Sequence, residues 1–262
     1  MHLFPRALLS LSLLPALLCA EAVTPKKKVR LFNGRDLTNF YVFLKDSKRE
    51  DPKKVFTVAG KQIRISGEEW GGLTTVNEYR DYRLIVEWKW GVKTWAPRVD
   101  RARDSGILLH GTGVDGAAGS GWLESIEYQM IEGGTGDLLL VKGANKPRIT
   151  VDAETGPDKQ LYWKKGAARV TRDAGRVNWY GRDVNWKDQK GYRGPKDVEK
   201  PLGQWNRSEV VAEGGNLTYY VNGVMVNQGF EGDHASGKIQ IQSEAAEVFI
   251  RKIELRPVEK HR

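Results

Sequence analysis

The sequence predicts an all-β sandwich built from two antiparallel sheets. Three observations carry that expectation. Short runs of alternating apolar and polar residues recur along the chain, and glycine-rich turns separate them. Beyond residue 22, no segment sustains a helical apolar period of about 3.6 residues. A length of 262 residues suffices for one large domain with a substantial core.

The N-terminal segment reads differently from the rest. Residues 3–18 are almost entirely apolar, Arg6 stands before the leucine-rich centre, and Ala20 and Ala22 offer a small-x-small cleavage site. This pattern predicts a signal peptide over residues 1–22, too short for a permanent span. Export to a bacterial periplasm, cell surface or medium follows as an expectation, with no membrane association after cleavage. Cys19 is the single cysteine and would leave with that segment. Leu18 before it argues against lipid attachment. A mature chain without cysteine has no disulfide, no thiolate metal site and no cysteine nucleophile. Residues 23–28, with Pro25-Lys-Lys-Lys28, read as a basic tether, residues 29–257 as one domain, and residues 258–262 as a tail.

Within the domain, Asn33-Gly34 marks a turn after Val29–Phe32. Strands are expected at Phe40–Leu44, Val55–Val58, Gln62–Ser66, Gly72–Val76 and Tyr82–Trp90. Further strands are expected at Gly106–His110, Ser125–Ile131, Asp137–Val141, Arg207–Ala212 and Leu217–Val221. Val224–Asn227, Lys238–Gln242 and Val248–Leu255 complete the set. Asn222-Gly223 between the paired runs is a strong two-residue hairpin signal, because both turn positions need positive φ. Residues 142–204 break the rhythm. They are rich in Gly, Pro and charge, carry Trp163, Trp179 and Trp186, and read as a long loop insertion in the sandwich rather than a second domain.

The formal charge is +9, and residues 164–200 alone hold eleven Lys/Arg against five Asp/Glu. Such a run is either a solvated surface or a field that steers anionic substrates. Nucleic acid is excluded as a partner by the expected export and by the absence of any reading motif.

Alternation then nominates a site. In Ser125–Ile131 the Ile126, Tyr128 and Met130 side chains can face a core while Glu127 and Gln129 face the other way. Ile107 and Leu109 likewise face inward, leaving Leu108 and His110 outward. Ile239 and Ile241 turn in, and Gln240, Gln242 and Glu244 turn out. In Tyr82–Trp90, Leu84, Val86 and Trp88 share the core side, and Glu87 and Lys89 the other. If these strands neighbour one another, Glu87, Lys89, His110, Glu127, Gln129, Gln242 and Glu244 form one polar surface suited to a sugar. His110, ending a strand beside Gly111-Thr-Gly113, is placed either for acid–base work or as a hydrogen-bonded structural histidine. Trp88 and Trp205 are expected in the core. Trp95, Trp122, Trp179 and Trp186 fall in loops, where they can stack on sugar rings or pack locally.

Several segments resemble, in order, those of one family. These are Leu31-Phe-Asn-Gly-Arg-Asp-Leu37, Ser105-Gly-Ile-Leu-Leu-His110 and Ile126-Glu-Tyr-Gln-Met-Ile131. They continue with Gln204-Trp-Asn206, Val221-Asn-Gly-Val224 and Val248-Phe-Ile-Arg-Lys-Ile253. Together they resemble the 3-keto-disaccharide hydrolase-like family of exported bacterial proteins over residues 29–257. The resemblance implies a concanavalin-like jelly roll with its ligand on one sheet, and action on glycosides whose C3 hydroxyl is oxidised to a ketone. His110 stands where many relatives carry arginine, and residues 142–204 are longer and more basic than the family pattern.

A C3 ketone acidifies the C2 hydrogen, so a base can remove it and the group at C1 can leave by elimination. Water addition to the enone completes a net hydrolysis. Glu127 and His110 are the candidate base and acid, with interchangeable roles. Lys89 or a bound divalent cation is the candidate for stabilising the enolate oxygen. Gln129, Gln242, Glu244, Glu87 and Trp122 are candidates for binding an oligosaccharide or glycoside. Glu87, Glu127 and Glu244 could hold a hard cation, although no loop has a calcium-like spacing. The alternatives are a non-catalytic carbohydrate-binding sandwich, a conventional endo-glycosidase, and an interaction protein using the basic segment. Glu124-Ser-Ile-Glu127 lacks the Glu-x-Asp-x-x-Glu pattern of the laminarinase-like glycosidases, which weighs against the second.

Overall fold

The computed structural model describes residues 21–259; the expected signal segment before Glu21, with Cys19, lies outside them. No helix occurs among the described residues. The strands are β1 (Val29–Arg30), β2 (Phe40–Leu44), β3 (Phe56–Ala59), β4 (Gln62–Ile65), β5 (Gly71–Thr75) and β6 (Tyr82–Thr94). Next come β7 (Asp104–Thr112), β8 (Glu124–Ile131), β9 (Leu138–Val141), β10 (Ile149–Thr155), β11 (Leu161–Trp163) and β12 (Arg169–Arg172). The chain ends with β13 (Gly175–Val177), β14 (Asn206–Glu213), β15 (Asn216–Val221), β16 (Val224–Phe230), β17 (Lys238–Ser243) and β18 (Ala246–Pro257).

These strands form an antiparallel sandwich, as expected. One sheet has eleven strands, in the order β11-β10-β16-β15-β14-β6-β18-β4-β3, with β1 on β18 and β12 on β10. The other has seven, in the order β13-β9-β8-β7-β17-β5-β2. The inward faces meet in a single core. Leu84, Val86, Trp88 and Ile250 of the larger sheet pack with Ile107, Leu109, Ile126, Tyr128 and Ile241 of the smaller. Apolar burial of this kind contributes roughly 25 cal/mol per Å², and strict alternation is what delivers it from both sheets at once.

The β15–β16 hairpin turns at Asn222 and Gly223, whose φ values are 49° and 87°. Residues 142–204 supply β10, β11 and β12 to one sheet and β13 to the other, so this segment extends the sandwich rather than looping free of it. The N-terminal tether is docked at its start. Val23 donates to the Glu78 carbonyl at 2.8 Å, and Pro25 is buried. Trp205 is not a core residue. It lies half-buried on the surface, with Lys89 Nζ 4.9 Å and the Arg251 guanidinium 4.5 Å from its ring.

Candidate functional site

The candidate residues separate into those that the seven-stranded sheet gathers and those that it does not. Opposed residues of antiparallel strands project from the same face. Glu127 pairs with Leu108 on one side and Leu139 on the other, and Leu108 pairs with Gln240. Gln129 pairs with Gly106, and Asp104 bridges Glu244. Ile107, Leu109, Ile126 and Tyr128 are in the core, so the intervening Asp104, Gly106, Glu127, Gln129, Gln240, Gln242 and Glu244 share the outer face. Four expected residues are therefore brought together: Glu127, Gln129, Gln242 and Glu244.

Glycines make room for them. A Cβ on Gly106 would lie 2.1 Å from Glu127 Oε1 and 2.5 Å from Gln242 Oε1, so both side chains cross the strand at that point. A Cβ on Gly72 would lie 2.3 Å from Gln240 Cδ. Gln240 is fixed there, donating to Thr74 Oγ1 at 2.7 Å and accepting from the Leu123 backbone N–H at 3.1 Å.

Sequence reasoning missed three further members. Asp104 continues the outward alternation of Gly106 and Leu108, a usable signal that a strand begun at Gly106 cuts off. Arg98 reaches in from the loop after β6, where no periodicity announces it. Its guanidinium pairs with Asp104 and lies 3.2 Å from Glu244 Oε1 and 3.5 Å from Asp188 Oδ1. Gln129 Nε2 donates to Asp104 Oδ1 at 2.7 Å. Arg176 comes from β13, where it pairs with Leu139 and so projects from the face that carries Glu127. Its positive charge acts on both Asp104 and Glu127.

The proton inventory of this cluster follows from burial. Burial pushes the Glu127 carboxyl up to about 8, with the Asp104 charge adding to the effect and Arg176 opposing it. Burial raises Asp104 to about 6 against the pull of Arg98 and Arg176. Glu244 is pushed well above the usual carboxylate range by burial and by its two acidic neighbours. Arg176 is also 3.5 Å from buried Asp137, so its charge is shared and the three carboxyls are only partly compensated. Burial keeps Glu127 protonated at neutral pH. Glu127 Oε1 has no hydrogen-bond partner among the described residues. Glu199 shows that a raised value alone does not mark a site. Burial lifts it to about 8 as well, but Trp90 Nε1 at 2.6 Å and Thr135 Oγ1 at 2.7 Å occupy both of its oxygens.

The cluster is buried, with Glu127 only 3% exposed. Arg176 also lines a cavity of about 340 Å³, together with Asn178, Arg182 and Trp186 among others; none of Asp104, Glu127, Gln129, Gln242 or Glu244 lines it. Arg182 pairs with buried Asp137 and stacks 4.3 Å from the Trp186 ring.

Other expectations are corrected. Glu87 and Lys89 are on β6, in the eleven-stranded sheet, and face away from the sandwich. Glu87 accepts from Arg251 at 2.7 Å and Lys252 at 2.5 Å, while Lys89 lies over Trp205 and Phe249. Alternation identified their face correctly, but only the pairing of β6 with β14 and β18 decides the sheet. The cation set Glu87, Glu127 and Glu244 is dispersed for the same reason. Among the described residues, no group of three His, Cys, Asp or Glu side chains is disposed to hold a metal ion.

His110 is also absent from the cluster. The β7–β8 register shifts between Leu109 and Thr112, and His110 takes φ 52°. That irregularity turns the ring away from the outer face and against core residue Tyr82, with ring centroids 5.6 Å apart. Its Nδ1 is 2.7 Å from the His234 carbonyl, and burial lowers the imidazole to about 4. The buried imidazole is neutral at neutral pH, and its Nε2 has no hydrogen-bond partner among the described residues. Trp122 stacks on Trp70 at 5.5 Å and donates to the Gly71 carbonyl at 3.1 Å, which places it over the β5 side of the sheet.

Comparison with solved structures agrees with this architecture. Two crystal structures from Parabacteroides distasonis ATCC 8503, each described provisionally as a glycosyl hydrolase, superpose with a TM-score of 0.51. One shares 18% identity and covers 89% of this chain and 95% of its own; the other shares 16% and covers 89% and 100%. At that identity they show a shared fold. No curated protein matches the chain. The family model described as the 3-keto-alpha-glucoside-1,2-lyase-like domain matches residues 27–256, nearly the whole described length, and carries with it a carbohydrate-related role. The chain belongs to the 3-keto-alpha-glucoside-1,2-lyase-like family.

Proposed function

We propose that this protein is an exported enzyme, working in a bacterial periplasm, at the cell surface or in the medium, that cleaves 3-keto-glycosides by elimination across C1 and C2. The observation that carries the reading is the proton imbalance on one sheet face: Asp104, Glu127 and Glu244 against Arg98 and Arg176. Environments that push neighbouring carboxyls apart assign an acid and a base. Asp104 is the member with the lower value, and it serves as base toward the C2 hydrogen. Glu127 stays protonated at neutral pH and gives its proton to the oxygen leaving C1. The guanidiniums of Arg98 and Arg176 supply the positive charge that an oxygen at C3 needs as enolate character develops. Gln129 and Gln242 orient hydroxyls.

The step balances. The C2–H bond breaks, its electron pair forms the C1–C2 double bond, the C1–O bond breaks, and the departing oxygen takes a proton. Water then adds its hydroxyl to C1 and a hydrogen to C2. His110 and Lys89 have no part in this scheme. Incubation with a 3-keto-glucoside tests it. Release of the C1 substituent by the wild-type chain and its loss in Glu127→Gln are the expected results. Binding without release would make the protein a carbohydrate-binding sandwich instead.

A further inference from the structure

The cavity lined by Arg176 shares Tyr162, Arg182 and Val184 with a second cavity of about 350 Å³. Tyr162, Trp163 and Tyr180 wall this second space, and Lys164, Lys196 and the carboxylate of Glu154 stand at it. All of these residues come from the 142–204 segment, which the sandwich architecture itself does not require. Tyr180 is 43% and Val184 42% exposed, an apolar investment left open to solvent. Trp163 and Tyr180 are tilted 55° with centroids 6.1 Å apart, forming an aromatic corner rather than a filled stack.

The charges at this space are unevenly used. Lys164 is paired with Glu154 at 2.6 Å, and Arg182 is paired with Asp137. Lys196 is exposed and forms no ion pair among the described residues. A cavity of this size, with aromatic walls and one uncommitted ammonium, matches a single ring with an apolar face and an anionic substituent. The neighbouring cavity is lined by Arg176, whose charge acts on Glu127, and this link is the ground for reading a ring bound here as the group that leaves C1.

We infer that the 142–204 segment builds a leaving-group subsite for a ring bearing a carboxylate, held against the corner formed by Tyr180 and Trp163 with its anion at Lys196. The inference rests on the proposed function for the identity of the leaving group, but its binding test does not need turnover. The shared chemistry is that of a uronic acid or a carboxylated phenol. The probes are glucuronic acid, 4-carboxyphenyl α-glucoside, and the uncharged glucose and phenyl α-glucoside. None carries the C3 ketone, so calorimetry with the full chain reads binding alone.

At low salt, at least one carboxylated probe should bind about fivefold or more tightly than its neutral counterpart, an effect near 1 kcal/mol. The probe that does so identifies the source. Lys196→Glu should abolish the difference, Tyr180→Ala should weaken both members of the pair, and Glu127→Gln should preserve the difference. Lys196 and Tyr180 are exposed enough for these variants to fold. Equal binding of charged and neutral probes, or variants at Lys196 and Tyr180 that bind as wild type does, would overturn the inference. Binding as described together with no release from a 3-keto-glucoside would instead overturn the proposed reaction and leave the subsite standing.

Discussion

Glu127 Oε1 lies directly over Gly106, so close that a methyl group at position 106 would come within 2.1 Å of it. The atoms met there are the ends of Glu127 and Gln242 rather than backbone, and they can move aside at modest energetic cost. Gly106→Ala should therefore cost about 1–3 kcal/mol in denaturant unfolding, the range for adding a methyl group to a packed site. The same displacement moves the proton donor from its place, and kcat should fall at least about tenfold. A stable variant with wild-type kcat would remove Glu127 from the reaction.

The pH dependence of activity follows from the two carboxyls. Turnover needs Asp104 ionised and Glu127 protonated, so kcat/KM should rise through about 6 and fall through about 8. Glu127→Gln should lower kcat by about a hundredfold or more and remove the alkaline limb from the residual rate. Steady-state kinetics across that range check both expectations.

Stability should respond to the same group with a definite sign. Glu127 has an ordinary value of 4.5 and is lifted to about 8 in the fold. Between those values the native state holds a proton that the unfolded chain has lost. Its contribution is complete below 4.5 and turns increasingly unfavourable as pH rises toward 8. The Tm of Glu127→Gln relative to wild type should therefore climb over that interval and level off above it.

Arg98 is the counterion of a buried acidic pair. Arg98→Met leaves Asp104 and Glu244 without it and should destabilise the protein by about 3 kcal/mol. Part of that loss should be recovered at low pH, where both carboxyls are protonated. Denaturant melts at two pH values separate this from a simple packing loss.

His110 gives the converse case. Asn tolerates positive φ well, so His110→Asn keeps the backbone of the bulge. It should lower Tm by removing a buried ring from beside Tyr82 while leaving kcat of the folded enzyme unchanged. A collapse of kcat with Tm preserved would return His110 to the mechanism.

Much of this arrangement was legible in the residues themselves. Alternation in Ile126–Met130, Ile107–Leu109 and Ile239–Ile241 separates core from surface on three strands that become neighbours. It also separates Leu84, Val86 and Trp88 from Glu87 and Lys89. What it leaves open is the partner of each strand, a choice made by contacts far apart in sequence. The polar face of β6 consequently looked equivalent to that of β8, although the two point out of opposite sides of the sandwich. A single bulge was enough to reverse His110, because a one-residue change in register exchanges faces. Arg98 and Arg176 were hidden for another reason. A loop and a three-residue edge strand carry no period from which direction can be read.

The isotopic fate of the C2 hydrogen is the most direct measure of the proposed chemistry. A 3-keto-glucoside incubated with the protein in D2O, beside an enzyme-free control, should release its C1 substituent. The 3-keto sugar formed should carry deuterium at C2 by mass spectrometry, and Glu127→Gln should yield almost none of it. Substituent release with protium retained at C2, or undiminished release by Glu127→Gln, would contradict elimination driven from this cluster.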